Sequence, residues 1–557
     1  MKLGDNQYRG GRYPKKHVKA DIIILGCSLP GIVAAHKLKT EFGDTMAIVV
    51  LDLAAPVREA SKCNVVFLGE REERIEDDSS EEGNVIKAPH THVANNVTRH
   101  YIDMYSKMFS IPIPDYIIEP HYPDKPLNKL FQHVDGQTAN CITSYHNFDY
   151  LNVWERFELN QYQNSLDSIV REVFQINIVS TDHGTKRLLY YDQTSMEKHI
   201  CDSLLFPNSK DTMRTIVRLV CGASADTISV LFYLHQCYRT SSSRNHVDGD
   251  NTKFREKLLG YCRKRLANIL QQSIADITLR TKSIKQIRTY SDEEVILETM
   301  KGDSDYICNL LAMALRPDEL YNIRVEERLL SDTQAEIIKA MKHGSAKKFL
   351  IQYEENIWQA QGFSGDILSL QGPILWAMER PQMSTTGRMD RYASLIGYLK
   401  VGEDDTGDSK EQVLAQLVKL FGEEASTPTF YKETMINDIF IPRCGDYVTL
   451  TKLRYDETDA KFRHVEWGAM DIFADGDVAA ALEAGHLAYL NLITSLRPQA
   501  QNFEDLSAMQ MPTVLAHRSF SKLFSKINYY SGMRFTAFAT AICIGWYLVR
   551  YYMRNRT

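Results

Sequence analysis

Residues 20–31 read ADIIILGCSLPG: the apolar run Ala20-Asp21-Ile22-Ile23-Ile24-Leu25 ends in Gly26-Cys27-Ser28-Leu29-Pro30-Gly31. A short apolar stretch rich in isoleucine and stopped by glycine is the pattern of a buried strand. The spacing beyond it predicts a helix from Ile32 to Leu38. A second strand, Ala47 to Leu51, then closes on Asp52. Strand, glycine turn, helix, strand and acid in that order make a dinucleotide-binding βαβ start. The turn must be tight, and the backbone must approach a pyrophosphate closely at a helix N-terminus. Gly26 and Gly31 hold the first and third glycine positions. Ser28 holds the middle one, where a Cβ crowds the phosphates. Asp52 lies about 20 residues past the glycines, where an acid takes ribose hydroxyls.

Upstream, Met1 to Ala20 is polar and basic (Lys2, Arg9, Arg12, Lys15, Lys16, Lys19). It has no apolar h-region, so no secretory signal peptide is expected, only a loose cytosolic arm. Downstream, residues 70–83 (EREERIEDDSSEEG) read as a solvated surface loop. Helices are predicted over 95–109, 160–174, 192–205 and 210–237, the last broken near Gly222. Residues 274–297 suggest short strands around the polar turn 290–294, and 306–312 a further strand. No internal repeat appears. This order suggests a nucleotide domain assembled from separated segments, with a second domain inserted.

Composition sets the outer bounds. The 557 residues are 44% hydrophobic and 24% charged, which excludes disordered, collagen-like and multi-spanning classes. The net charge of −6 leaves no basic field for nucleic acid. The ten cysteines (27, 63, 141, 201, 221, 237, 262, 308, 444, 543) show no CxxC pair and no metal spacing, so reduced thiols and no metal are expected. The mean hydropathy of −0.31 is an average that hides one segment. Phe535 to Val549 (FTAFATAICIGWYLV) is uncharged, with Arg534 before it and Arg550, Arg554 and Arg556 after. A span needs about 20 apolar residues, with about 17 as a lower limit. Arg550 can snorkel, and Trp546, Tyr547, Tyr551 and Tyr552 crowd one end as interface aromatics do. A single-pass C-terminal anchor over 534–553 with a cytosolic body is expected. The sequon Asn96-Val97-Thr98 is then chance.

The stretch from Tyr353-Glu354 through Trp358, Gly362-Phe363-Ser364-Gly365-Asp366, Ser369 and Gly372-Pro373 resembles the flavin-containing amine oxidases, monoamine oxidases in particular. Gly344-Ser345-Ala346-Lys347-Lys348 is similar to the family strand that carries a lysine to the flavin, with Lys348 in register. Asp192-Gln193-Thr194-Ser195-Met196 is similar to a family helix start. Cys221, Ser229, Leu231 to Leu234, Gly260, Pro428, Tyr431, Glu433, Gly476, Ala481 and Glu483 to Gly485 agree with family positions, and so does the tail.

The resemblance implies an α/β fold: an FAD-binding Rossmann-like domain in separated segments, interleaved with an α+β substrate domain, plus a C-terminal transmembrane helix. After the arm at 1–19, the FAD-binding segments are 20–105, 241–315 and 431–500. The substrate segments are 106–240 and 316–430, followed by a linker at 501–533 and the anchor. It implies FAD, and oxidation of an amine to an imine with oxygen as final acceptor. The cofactor carries that chemistry, and the protein holds and tunes it. By register it implies Lys348 as the catalytic residue. Cofactor contacts would come from Gly26, Ser28, Gly31, Asp52, Cys444, Gly468 and Val478, and the substrate pocket from Gly445 and Asp477. The implied partners are a small amine and the lipid bilayer, with a homodimer left open. The mitochondrial outer membrane is favoured over the endoplasmic reticulum.

The sequence also departs from the family. Residues 53–64 (LAAPVREASKCN) lack the paired glycines expected against pyrophosphate and flavin. Gly468-Ala469-Met470 replaces Gly-Thr-Glu, unless Asp471 substitutes by a one-residue shift. Gly445 and Asp477 stand where monoamine oxidases place two cage tyrosines, with Tyr447 near the first. Cys444 lies where those enzymes attach flavin through a thioether, but Pro442 and Arg443 replace the glycines before it. Its readings are a covalent flavin link or an unmodified cysteine. Two functions follow: an FAD amine oxidase with a changed pocket, or a catalytically degenerate scaffold of the same fold.

Overall fold

The computed structural model describes residues 17–53, 107, 127–142, 145–175, 182–239, 283–299, 304–380, 393–401, 409–455, 464–470 and 478–496. Among the described residues two seven-stranded sheets form the framework.

The first sheet grows from the opening apolar run. Strand β1 (His17–Leu25) pairs in parallel with β2 (Ile48–Leu51) and β7 (Asp305–Met313). Helix α1 (Leu29–Phe42) is the crossover between β1 and β2. The hairpin β5 (Ile284–Thr289) and β6 (Val295–Thr299) extends the sheet antiparallel to β7. The short strands β8 (Arg324–Val325) and β14 (Val465–Glu466) complete it. Ile22, Ile23, Ile24 and Leu25 are all fully buried, because both faces of the sheet are covered. Ile22 and Ile24 face α1 and helix α11 (Val478–Leu496). Ile23 and Leu25 face the core of Leu320, Leu330, Ile338, Leu450 and Trp467. That core draws on α7 (Pro317–Leu320), α8 (Asp332–Lys339) and α10 (Tyr447–Tyr455).

The second sheet runs β13-β9-β12-β11-β10-β3-β4. Its strands are β3 (Asn128–Gln132), β4 (Thr138–Cys141), β9 (Lys342–Tyr353), β10 (Phe363–Ser369), β11 (Ile374–Arg380), β12 (Ala393–Leu399) and β13 (Phe430–Ile441). One face packs on a helical layer of α2 (Val153–Val170), α3 (Asp182–Gln193), α4 (Met196–Ser203), α5 (Pro207–Cys221) and α6 (Val230–Arg239). The other face packs on α9 (Lys410–Phe421).

Several boundaries move from their expected places. The expected division at 430/431 falls at the start of β13, so residues 431–441 stay in the second sheet. Residues 316–341 pack with the first sheet rather than the second, through Leu320, Leu330, Ile338 and Met341. Asp192 does not open a helix. It lies in the last turn of α3, and Ser195 caps α4 by accepting the Lys198 N–H at 3.2 Å. The break near Gly222 is a left-handed helix stop, φ 69°. Among the described residues no helix is long and apolar enough to cross a membrane. The expected anchor at 534–553 and the expected helix over 95–109, apart from residue 107, lie outside the described residues.

Candidate active site

The nucleotide end forms where β1 runs into α1. Gly26 takes φ 110°, and its N–H donates to the Leu51 carbonyl at 2.7 Å. A Cβ on Gly26 would sit 2.1 Å from the Ala314 carbonyl oxygen, and one on Gly31 would sit 2.5 Å from Ala314 Cβ. Both glycines are therefore required by the approach of the chain leaving β7. Ser28 has the backbone of an N-cap, φ −65° and ψ 161°, but its side chain does not cap. Its Oγ instead donates to the Ala314 carbonyl at 2.8 Å. Among the described residues the first turn of α1 thus has neither a side-chain acceptor nor an acid; Pro30 has no N–H, so the Leu29 and Gly31 N–H groups are the donors an anion would find there. Asp52 follows β2 half-buried, its Oδ1 accepting from the Leu53 N–H at 3.1 Å. Burial raises the Glu319 carboxyl above the usual range, and the Asp52 charge adds to that shift. An uncapped helix start beside an acid fits the nucleotide half of FAD.

The lysine doublet on β9 splits between two faces. Lys347 is 4% exposed and points toward α9. Its Nζ lies 2.8 Å from Glu433 Oε2 and donates to Ser409 Oγ at 2.8 Å. Glu433 also accepts from Tyr431 Oη and from the Ser409 N–H, which ties the start of α9 to the sheet. Lys348 is half-buried and lies opposite Tyr398 on β12 and Thr434 on β13. Strand side chains alternate, so Lys348 shares its face with Leu350, which packs in the helical-layer core.

The turn that carries Cys444 and Gly445 hangs from Asp192. The Asp192 main-chain carbonyl accepts the Gly445 N–H at 2.8 Å. The Asp192 carboxylate, fully buried, accepts the Val448 N–H at 3.0 Å. Burial raises this carboxyl above its ordinary range, against hydrogen bonds from Val448, Tyr447 and Ser229 that favour the charge. Cys444 is half-buried, its Sγ 3.7 Å from the Thr227 carbonyl. Gly445 takes φ 96°. The Gly468 N–H donates to Glu466 Oε1 at 2.7 Å. Val478 is the first residue of α11, which packs along α1 through Gly485. Asp471 and Asp477 lie outside the described residues.

The structure thus gathers Gly26, Ser28, Gly31 and Asp52 at one turn, and Cys444 and Gly445 at another. Lys348 stands on the second sheet. Sequence reasoning missed Asp192 as the holder of the Cys444 turn. It also missed Lys432 and Thr434, which share the face of Lys348; the strand alternation in 430–435 was the only signal for them. Trp358, central to the resemblance, is fully buried among Tyr353, Phe363 and Phe421. It is part of the core. Among the described residues no group of His, Cys, Asp and Glu is placed to hold a metal ion.

Residues 228–435 match the sequence profile of the flavin containing amine oxidoreductases. Within the matched segment fall Lys347, Lys348, Trp358, Lys432 and Glu433, while the βαβ turn and Cys444 lie outside it. The fold also resembles solved structures. A redesigned putrescine oxidase superposes with a TM-score of 0.60 at 13% identity, over 86% of this chain and 100% of that one. The cyclohexylamine oxidase of Brevibacterium oxydans IH-35A gives 0.58 at 16% identity, over 86% and 100%. At such identities the likeness concerns the fold.

Proposed function

We propose that the chain is an FAD-dependent amine oxidase with an altered substrate pocket. The observation that carries this reading is the uncapped start of α1 beside Asp52, a cradle the fold leaves open to a dinucleotide phosphate. Gly26, Ser28, Gly31 and Asp52 would hold the nucleotide half, and Gly468 and Val478 would approach the rest. Lys348 would face the ring system from the second sheet, and the Cys444–Gly445 turn would close on it. The flavin, when bound, accepts two electrons and passes them to oxygen. The chain's part is to orient the amine, exclude water and place the Lys348 ammonium for the oxygen half-reaction.

A second reading, a degenerate scaffold, is favoured by one observation. Ser28 brings a Cβ and a hydroxyl to the middle glycine position, with its Oγ committed to Ala314. The visible spectrum of the purified full chain separates the two. The oxidase reading expects a flavin band near about 450 nm that bleaches with an amine. No band after incubation with FAD would leave the scaffold. Acid precipitation then tests Cys444, since a covalent flavin stays in the pellet.

Residues 534–553 are proposed as the bilayer anchor, with the mitochondrial outer membrane as its place and a cytosolic body. Deleting Gly532 to Thr557 should release the chain from membranes, and a truncated chain that stayed bound would overturn the assignment.

A further inference from the structure

The even positions of β13 face the helical layer. Phe430, Lys432 and Thr434 pair with Gln352, Leu350 and Lys348 of β9. Phe430 and Leu350 pack in the helical-layer core, which fixes the side to which Lys432 and Thr434 turn. The Lys432 Nζ and the Thr434 Oγ1 are both buried, and among the described residues neither has a hydrogen-bond partner. A lysine ammonium carries three donors and a full charge. Leaving it sealed and unpaired is among the costlier arrangements a fold can hold.

The opposite face shows how this chain satisfies a lysine needed only for structure. Lys347 has a carboxylate and a hydroxyl at 2.8 Å each. Lys432, one strand away, has neither among the described residues. Lys348 puts a second ammonium on the same face, directly across from Thr434. A cation close to a second one in a low-dielectric layer is destabilised, and an anion at Lys432 relieves it. Tyr398 lies opposite Lys348 and stacks on Trp376, ring centroids 5.9 Å apart, so the polar patch has an aromatic border.

We propose that Lys432 and Thr434 bind a carboxylate, and that the substrate is therefore an amine that also carries a carboxylate. The second half rests on the oxidase reading; the carboxylate site does not. A carboxylate has two acceptor oxygens, enough for the Lys432 ammonium and the Thr434 hydroxyl together. A diamine would bring a second cation to a face that already holds two.

Putrescine and 4-aminobutanoate test this, because they share a four-carbon chain and differ only at the far end. Titration calorimetry on the purified full chain should show 4-aminobutanoate binding about tenfold or more tighter than putrescine. Lys432→Met should abolish that preference, and Lys432→Arg should keep most of it. Circular dichroism of both variants controls for folding, and Thr434→Val gives a second, uncharged probe of the same site. A wild-type preference for putrescine, or an unchanged preference in Lys432→Met and Thr434→Val alike, would overturn the proposal. The two readings fail separately. A chain with the binding preference and no flavin band keeps the carboxylate site and loses the oxidase. A flavin bleached by putrescine but not by 4-aminobutanoate keeps the oxidase and loses the site.

Discussion

Replacing Asp192 tests how the Cys444 turn is held. Its side chain accepts the Val448 N–H at 3.0 Å. All of this takes place at a fully buried position. In Asp192→Ala the Val448 N–H loses its acceptor at a buried position. Each buried group left unpaired costs ~1–3 kcal/mol. For this one group the cost is about 2 kcal/mol, concentrated on residues 445–448. Asp192→Asn keeps the shape and one acceptor oxygen, so its cost is about 1 kcal/mol.

The assay reads the turn directly. Cys444 is half-buried and Cys201 is exposed, so iodoacetamide labelling followed by peptide mass spectrometry contains its own control. A loss of about 2 kcal/mol would raise the open population about thirtyfold. Cys444 is already partly accessible, so an increase of about tenfold in its labelling rate is expected in Asp192→Ala. The Cys201 rate should stay constant. Equal Cys444 rates in wild type and variant would refute the assigned role.

The pH dependence adds a sign. Burial raises the Asp192 carboxyl in the folded state above its unfolded value. The folded protein therefore holds this proton more tightly, and its contribution to stability falls as pH rises from the unfolded value through the folded one. The melting-temperature gap between wild type and Asp192→Asn should be wider at pH 4.5 than at pH 7. A gap that widened toward neutral pH would contradict the burial argument.

Three further outcomes follow from other contacts. Lys347→Met strands Glu433 inside the α9 interface and should cost ~3–5 kcal/mol by thermal melting, whereas Lys347→Met with Glu433→Leu should recover most of that loss. Gly485→Ala would place a Cβ 2.6 Å from the Pro30 carbonyl and 2.8 Å from Val33, so α1 and α11 must part; a loss of ~1–3 kcal/mol is expected, and an unchanged melting temperature would show that the helices slide freely. Lys348→Met should slow reoxidation of the reduced flavin by oxygen in stopped-flow measurements while leaving the melting temperature nearly unchanged; unchanged reoxidation would remove its role.

The parts of the fold that were legible in the sequence are those whose signal is local. Six residues from Ala20 to Leu25 carry their own period and their own stop at Gly26. The left-handed stop at Gly222 and the hairpin turn at 290–294 are equally short-range. Asp192 was read only as a helix start, because its partner Val448 lies 256 residues away and nothing in either segment announces the other. The Trp358 stretch pointed to the family and not to the chemistry: a fully buried tryptophan is kept by packing.

The lysine doublet shows why the candidate site was only half legible. Residues 349–353 read FLIQY, apolar at nearly every position, because the sheet is covered on both faces. A strand with one wet face announces its phase through alternation, and this one does not, so sequence alone leaves open which lysine turns to which side. The phase is set by Glu433. Its carboxylate on the α9 face holds Lys347 there, and the alternation then sends Lys348 to the helical layer. The same phase carries Lys432 and Thr434 to the helical side. One buried ion pair on the structural face thus determines which charges the opposite face presents to a ligand.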